Sequence, residues 1–281
     1  SKYIKNEEAL YLHENKKDFI NAKKTNVLRE KNGVKIKVLS KNEILELEPN
    51  LAPVFYNGQI FIGSRHTTNP LAVSKKIFET VINNGGKFIK KNVENIIPEE
   101  TKIKIICNQK IIQFDKVIVC AGSWSGNLTK KIGEDYPLDT ERGYHVMFDN
   151  KSLIDRPVGW SQSGFYLVQL DDGLRAAGTV EIAGLHKQAN KKRTKMIESQ
   201  ARKLLPQLKE VKSTWLGFRP TLPDSLPVIG QSQKNKNIIY GFGHQHIGWT
   251  LGAVTGKIIN SICNDRIPNI NIEPFSPNRF S

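Results

Sequence analysis

The sequence has few of the residues from which covalent or metal-bound frameworks are built. It contains 3 cysteines in 281 residues, and Cys107, Cys120 and Cys263 lie far apart with no CxxC or Cys/His spacing. The odd number excludes a framework made of disulfides alone. The apolar neighbours of each cysteine predict inert thiols in the core, and no metal site is predicted.

Long apolar runs are also absent. No stretch approaches the ~20 apolar residues needed to span a bilayer. The N-terminal residues Ser1-Lys2-Tyr3-Ile4-Lys5 lack the apolar centre of a signal peptide. A hydrophobic content of 38% still supplies a sizeable core, and the length indicates one or two domains. We therefore expect a globular, cytoplasmic protein.

Acidic residues are scarce relative to basic ones, which gives a formal net charge of +15. Such a charge favours acidic partners, such as nucleic acid or anionic lipid. The lysines are scattered, however, and clusters such as 190–195 lack the interleaved aromatic residues of a single-strand binding surface. The pattern predicts no specific nucleic-acid partner. It leaves open a peripheral membrane contact and, as an alternative function, a basic binding module.

Periodicity and turn signals divide the chain into helices and strands. The predicted helices span residues 14–30, 41–48, 70–82, 123–128, 191–205 and 248–262. Strands are predicted at 34–39, 58–63, 87–91, 93–97, 102–108, 110–114, 211–218, 227–229 and 238–240, with an antiparallel series at 137–178. The apolar run 117–122 predicts a strand buried on both faces. The expected fold is mixed α/β (α+β), with two interleaved domains sharing one cleft.

Four motifs follow one another along the chain. They are Val-Ile-Val-Cys-Ala-Gly-Ser-Trp-Ser from residue 117, Glu-Arg-Gly-Tyr-His from 141, Gly-Phe-Arg-Pro-Thr-Leu-Pro-Asp-Ser-Leu-Pro-Val-Ile-Gly from 217, and Gly-His-Gln-His-Ile-Gly-Trp-Thr-Leu-Gly from 243. With these motifs in this order, the chain resembles the D-amino-acid dehydrogenase and glycine oxidase family of FAD-dependent amine oxidoreductases over nearly all of its length. The resemblance implies a Rossmann-like FAD-binding domain interleaved with an antiparallel substrate domain.

One family motif has no counterpart here. Family members open with a strand, a Gly-x-Gly-x-x-Gly turn and a helix that hold the FAD pyrophosphate. Gly241-x-Gly243 follows a predicted strand, but the next glycine is Gly248, so the spacing fails. By the resemblance, roughly the first third of the family's length is missing, and the FAD-binding domain is expected to be incomplete.

The resemblance also divides the chain into domains. It assigns residues 1–66 and 136–220 to the substrate domain, 67–135 and 221–265 to the FAD-binding domain, and 266–281 to a loose tail.

A flavin ring that becomes anionic on reduction needs N–H donors or a helix N-terminus beside it. The fourth motif supplies such a terminus, and its glycines allow close backbone approach. An ordinary glycine turn before a packed helix is the alternative. The cofactor-binding residues that the resemblance implies are Val93, Ala121, Gly122, Trp124, Gly243, His244, Gln245, His246, Ile247, Gly248, Trp249 and Thr250.

An amino-acid substrate needs a cation for its carboxylate. Arg219 suits this role because guanidinium offers a planar bidentate fork and Pro220 restricts the backbone. A surface ion pair is the alternative. The resemblance adds Tyr166, whose hydroxyl would share the carboxylate, and His246, which stands where glycine oxidases carry a second arginine. Histidine is shorter and only partly charged at neutral pH, so we expect the substrate or its placement to differ.

The implied reaction is hydride transfer from the substrate α-carbon to flavin N5, after which the imine hydrolyses to a keto acid and ammonia. No catalytic acid or base is assigned, because the neutral amine lone pair assists the transfer. Another alternative stays open. The chain would be a truncated fragment, or one part of a split enzyme whose N-terminal FAD segment lies in another chain, folded but without bound flavin.

Overall fold

The structure is a computed structural model that describes residues 3–160 and 163–280. Its α-helices are α1 (Lys16–Lys31), α2 (Lys41–Leu47), α3 (Pro70–Asn83), α4 (Ser125–Ile132), α5 (Lys191–Leu204) and α6 (Gly248–Cys263). Its strands are β1 (Ile4–Lys5), β2 (Leu10–His13), β3 (Lys35–Leu39), β4 (Asn57–Ile62), β5 (His66–Thr67), β6 (Val93–Pro98), β7 (Ile103–Cys107), β8 (Lys110–Phe114), β9 (Val117–Val119), β10 (Asp139–Phe148), β11 (Val158–Trp160), β12 (Phe165–Leu170), β13 (Gly173–Ile182), β14 (Val211–Thr221), β15 (Val228–Gln231) and β16 (Ile238–Phe242). The predicted mixed α/β fold is confirmed.

The chain divides into two compact units. The first comprises Ser1–Lys87, Gly143–Val180 and Gln188–Leu216, and the second comprises Phe88–Arg142, Glu181–Lys187 and Gly217–Ser281. That these units are a substrate domain and an FAD-binding domain stays a prediction. No helix in the described part of the chain is long and apolar enough to cross a membrane.

The first unit contains most of an eight-stranded sheet in the order β14-β10-β13-β12-β11-β2-β4-β3. Strand β2, which was not predicted, pairs in parallel with β11 and antiparallel with β4. Within 137–178, β12 pairs antiparallel with both β11 and β13, as predicted, and the one parallel pairing described for this sheet comes from β2. Leu10 and Leu12 of β2 are fully buried in the core, while Tyr11 and His13 project from the opposite face because side chains alternate along a strand.

The helices of the first unit begin where the sequence predicts. The Ser40 hydroxyl accepts the Glu43 N–H, and the Glu43 carboxylate accepts the Ser40 N–H at 2.8 Å, which completes the predicted capping box of α2. Asn69 caps α3 through the Ala72 N–H at 2.9 Å. The N-termini of both helices could be predicted from the sequence because capping is a local interaction within one turn.

Helix α3 differs from the other helices because none of its residues is buried. Its apolar stripe is instead exposed: Leu71 is 65%, Ile77 63%, Phe78 46% and Val81 53% accessible. A stripe of this kind on a surface helix normally faces a core. The outer face of α3 therefore has the composition of a packing surface.

The second unit holds two three-stranded sheets, β15-β16-β9 and β6-β7-β8. The prediction that 117–122 is buried on both faces is wrong, because β9 is an edge strand and Ile118 is 46% exposed. Cys120 is likewise exposed rather than in the core, whereas Cys107 is buried. The predicted strand 87–91 is also absent, because this part of the chain runs as an irregular segment with Phe88 and Ile89 exposed.

The C-terminal segment is not loose, contrary to expectation. Ile272 and Phe275 pack against the core beneath α6, and Phe280 packs near Tyr136. The Arg279 guanidinium pairs with Asp224 at 2.6 Å. These aromatic and apolar residues are widely spaced in an Asn/Pro-rich stretch, so the composition did not predict that they pack.

Candidate functional site

The loop between β16 and α6 contains positive φ angles, a backbone conformation that favours glycine. Gly243 has a φ of +88°, and a Cβ at this position would lie 2.6 Å from Leu222 Cδ1. Gln245 also has a positive φ of 52°, and its N–H donates to the Pro220 carbonyl at 2.9 Å. This hydrogen bond fixes the loop against the end of β14, directly beside Arg219.

The N-terminus of α6 lacks a side-chain cap. Its N-cap residue is Ile247, which offers no acceptor to the first-turn N–H groups. His246 and Thr250 are exposed, as are Ile247 at 42% and Trp249 at 52%. A 16-residue helix therefore presents open N–H donors and the positive end of its dipole at the predicted flavin segment.

The His244 side chain has a different role from its neighbours. Its Nε2 lies 2.9 Å from Thr255 Oγ1 on α6, and burial lowers the pKa of the ring. A Cβ added at Gly248 would lie 3.1 Å from His244 Cβ, so this glycine leaves room for the histidine. His244 thus holds the loop to the helix with its ring, and only its backbone is available to a cofactor.

The turn after β9 lies beside the same strand end. Gly122 has a φ of +55°, and the Trp124 N–H donates to the Ala121 carbonyl at 3.1 Å. The Ser123 hydroxyl donates to the Phe218 carbonyl at 3.2 Å. The Trp124 ring, 48% exposed, meets the Phe218 ring edge-on at 5.4 Å. The first motif, through Ser123 and Trp124, and the fourth, through Gln245, therefore both contact the third motif beside Arg219.

Arg219 lies partly buried at the end of β14. Burial lowers the pKa of its guanidinium and the nearby Glu141 carboxylate raises it. A guanidinium remains charged at neutral pH through such opposing influences. The second unit therefore brings a cation, an open helix terminus and a small-residue turn into one neighbourhood.

Arg142 is the residue that the sequence reasoning missed. It stands in the motif Glu-Arg-Gly-Tyr-His, yet no role was predicted for it. Its side chain is fully buried, its Nε lies 3.6 Å from Glu181 Oε2, and its guanidinium carbon lies 5.8 Å from the centre of the Phe218 ring. A charged residue inside a strand, here β10, was the available signal, since arginine is almost never fully buried without a partner.

Tyr166 lies in the first unit, on β12. It pairs with Gly159 of β11, where an added Cβ would lie 2.5 Å from Tyr166 Cε1 and 2.6 Å from Tyr11 Cδ2. The two tyrosine rings are 6.0 Å apart. Burial raises the pKa of Tyr166 to about 12. Its hydroxyl therefore keeps its proton at neutral pH and can donate a hydrogen bond.

Val93 lies apart from these residues at the start of β6. It is 36% exposed and lines a cavity of about 290 Å³ with apolar walls that include Ile105, Ile112 and Phe114. None of the other predicted site residues lines this cavity. Its role in holding adenine stays a prediction.

His145 predicts an acid-dependent loss of stability. Its ring stacks on Trp215 at 5.2 Å, and burial, with the Arg175 charge, lowers its pKa from 6.5 to about 4. The unfolded chain therefore binds a proton at His145 more readily than the folded chain does. The stability that the neutral ring contributes to the free energy of unfolding is fully present above pH 6.5 and is lost as the pH falls toward about 4.

We expect His145→Phe to flatten the pH dependence of the unfolding free energy over that range, measured by urea denaturation. His186→Asn, at an exposed position, is the control and should leave the wild-type slope intact. Equal slopes for all three proteins would show that His145 does not carry the effect.

Comparisons with known proteins identify the family of this chain. Residues 5–262 match the family described as DAO, FAD dependent oxidoreductase. The D-amino-acid oxidase of Bradyrhizobium diazoefficiens is 33% identical over 260 residues, which cover 90% of this chain and 62% of the relative. The D-amino acid dehydrogenase of Vibrio vulnificus is 27% identical over 262 residues, covering 90% and 63%. This chain thus spans less than two thirds of the length of these relatives.

Solved structures show the same fold. A glycine oxidase from Geobacillus kaustophilus superposes with a TM-score of 0.89 at 19% identity, covering 98% of this chain and 75% of that one. An iminodiacetate oxidase from Chelativorans sp. gives a TM-score of 0.86 at 18% identity, covering 98% and 76%.

Proposed function

This chain belongs to the family of FAD-dependent oxidoreductases, and we propose that it supplies the substrate-facing part of an enzyme that oxidatively deaminates a small amino acid. The substrate is a D-amino acid, glycine or a related secondary amine. One observation carries the proposal: the hydrogen bond from the Gln245 N–H to the Pro220 carbonyl. It joins the strand end that bears a carboxylate-binding cation to the loop that leads into an open helix terminus.

The residues of the second unit fit the ring end of FAD. The uncapped first turn of α6 offers N–H donors and a positive dipole where the reduced ring carries negative charge. Gly243 keeps the preceding backbone free of a side chain, as a close approach to a planar ring requires. Within the 281 residues there is no glycine motif for the pyrophosphate, so other residues must bind the FAD phosphates.

Bound FAD would accept the hydride that leaves the substrate α-carbon. The chain's own residues orient the substrate for that transfer. The Arg219 guanidinium would hold the carboxylate through two parallel hydrogen bonds. Fixing the carboxylate in this way restricts how the α-carbon is presented to the ring, and such orientation is the main catalytic contribution that this mechanism needs.

Two exposed surfaces support the proposal that further polypeptide completes the enzyme. In the first unit, α3 exposes its apolar stripe. In the second unit, β9 has one unpaired edge and an exposed Ile118 among the described residues. Parallel sheets are normally covered and extended, and open edges readily accept another strand. A strand that carries the phosphate-binding glycines, in the same polypeptide or in another chain, would fit the open edge of β9.

The test is the flavin absorbance band at about 450 nm. We expect weak retention of FAD by the 281-residue chain alone. Co-expression with the N-terminal segment of the Bradyrhizobium relative should give a yellow complex that is bleached by D-amino acids or glycine. A yellow complex that no amino acid or amine bleaches would reject the activity, whereas a complex that stays colourless with added FAD would reject the cofactor.

A further inference from the structure

A cavity of about 330 Å³ lies in the first unit between α1 and the sheet, and we call it the α1 cavity. It lies on the face of β2 that points away from the main core. Six of its seven lining residues have polar side chains: Tyr11, His13, Asp18, Asn21, Thr25 and Arg29.

His13 has a buried ring without a hydrogen-bond partner. It is 1% exposed and lies between the rings of Tyr11, at 5.8 Å, and Phe19, at 5.6 Å. Neither ring nitrogen forms a hydrogen bond. The neighbouring Gln59 amide is engaged with Asn26 in a reciprocal pair of 2.7 and 3.2 Å. An unsatisfied buried polar group costs about 1–3 kcal/mol, so this ring is better suited to a site that a ligand completes.

Arg29 supplies a cation to the same cavity. One of its terminal nitrogens donates to Asn26 Oδ1 at 2.9 Å, and its guanidinium lies 5.3 Å from the centre of the Phe61 ring. No carboxylate among the described residues forms an ion pair with it. The helix that bears it carries six basic residues against two acidic ones. The field at the cavity mouth therefore favours an anion.

We propose that the α1 cavity binds a small organic monocarboxylate, held by the Arg29 guanidinium, the Tyr11 hydroxyl and one N–H of His13. These three donors match the two oxygens of a carboxylate. This site uses residues of the first unit and needs no flavin, although the Tyr11 ring lies 6.0 Å from the Tyr166 ring.

The experiment titrates the 281-residue chain with propionate and follows the NMR signals of the His13 ring. We expect saturable shifts, with a dissociation constant in the millimolar range. Propionamide, which has the same shape without the charge, should cause none. Arg29→Gln should weaken propionate binding by at least about tenfold. The affinity of Arg29→Lys should lie between the affinities of the wild type and of Arg29→Gln. Lys24→Gln removes the same charge from an exposed position of α1 and should change affinity less than about twofold.

His13→Phe provides a second readout that does not depend on Arg29. A phenyl ring of similar shape removes the unpartnered nitrogens, so thermal stability without ligand should be equal or higher while propionate binding is lost. The proposal is overturned by equal responses to propionate and propionamide, or by equal losses for the Arg29→Gln and Lys24→Gln proteins. It is also overturned if no His13 shift appears up to about 50 mM propionate.

Discussion

Replacing Arg219 with alanine should lower kcat/KM for the amino-acid substrate by about 10²–10³-fold in the completed enzyme, because truncating one partner of a buried, hydrogen-bonded charge pair costs 2–5 kcal/mol. The loss should appear mainly in KM. In the proposed site the guanidinium binds the carboxylate in both the ground state and the transition state, and the reacting α-carbon lies one bond away. Flavin content should change little, since the proposal places the cofactor against the backbone of α6 rather than against this side chain.

The measurement pairs steady-state kinetics with the ratio of flavin to protein absorbance. Arg219→Lys keeps the charge and loses the planar fork, so it should recover only part of the activity. Arg266→Ala, in the same unit but exposed after α6, is the control and should behave as wild type. Unchanged kinetics in Arg219→Ala would remove the residue from the site. Lost flavin with lost activity would indicate a structural role instead.

The sequence predicted the family and most helices because their signals are local. The capping box of Ser40 and Glu43 lies within one helical turn, and Asn69-Pro70 opens α3 as expected. Family membership, predicted from four motifs, is confirmed by the match over residues 5–262. Strand β2 was not predicted because it has only four residues. Its parallel partner lies about 150 positions away, at Val158–Trp160, and pattern arguments operate within a short window.

Burial was harder to predict than secondary structure. The apolar run 117–122 has the composition of a covered strand, yet β9 forms the edge of its sheet. Composition reports what a strand is suited to contact, whereas exposure depends on which other polypeptide is present. The same reasoning applies to α3, whose stripe has no buried residue. In both places the apolar composition is that of a packing surface, and the described residues leave it exposed.

The roles of individual side chains in the site depend on contacts that no local pattern reveals. The His244 ring is held by Thr255, one helix turn beyond the motif that was compared with the family. Arg142 contacts Glu181, which lies 39 positions away along the chain, and the motif that contains Arg142 gives no sign of this partner. The sequence could indicate that an arginine in a strand needs a partner, but only the fold identifies which carboxylate supplies it.

Replacing Glu181 with alanine should lower the free energy of unfolding by about 3–5 kcal/mol, because it strips the buried Arg142 guanidinium of its carboxylate. Urea denaturation, with unchanged slope, measures the loss. Glu100→Ala, at an exposed turn of the same unit, should shift stability by less than about 0.5 kcal/mol.

The double replacement Arg142→Met with Glu181→Leu tests whether the buried ion pair contributes only to stability or also positions the end of β14. Removing both charges avoids an uncompensated ion, so the double variant should be clearly more stable than Glu181→Ala. Its activity is a separate matter, since the Arg142 guanidinium packs against Phe218, the residue before Arg219. If the pair positions that strand end, the completed double variant should stay folded and bind substrate more weakly. Full activity would show that the buried pair contributes to stability alone.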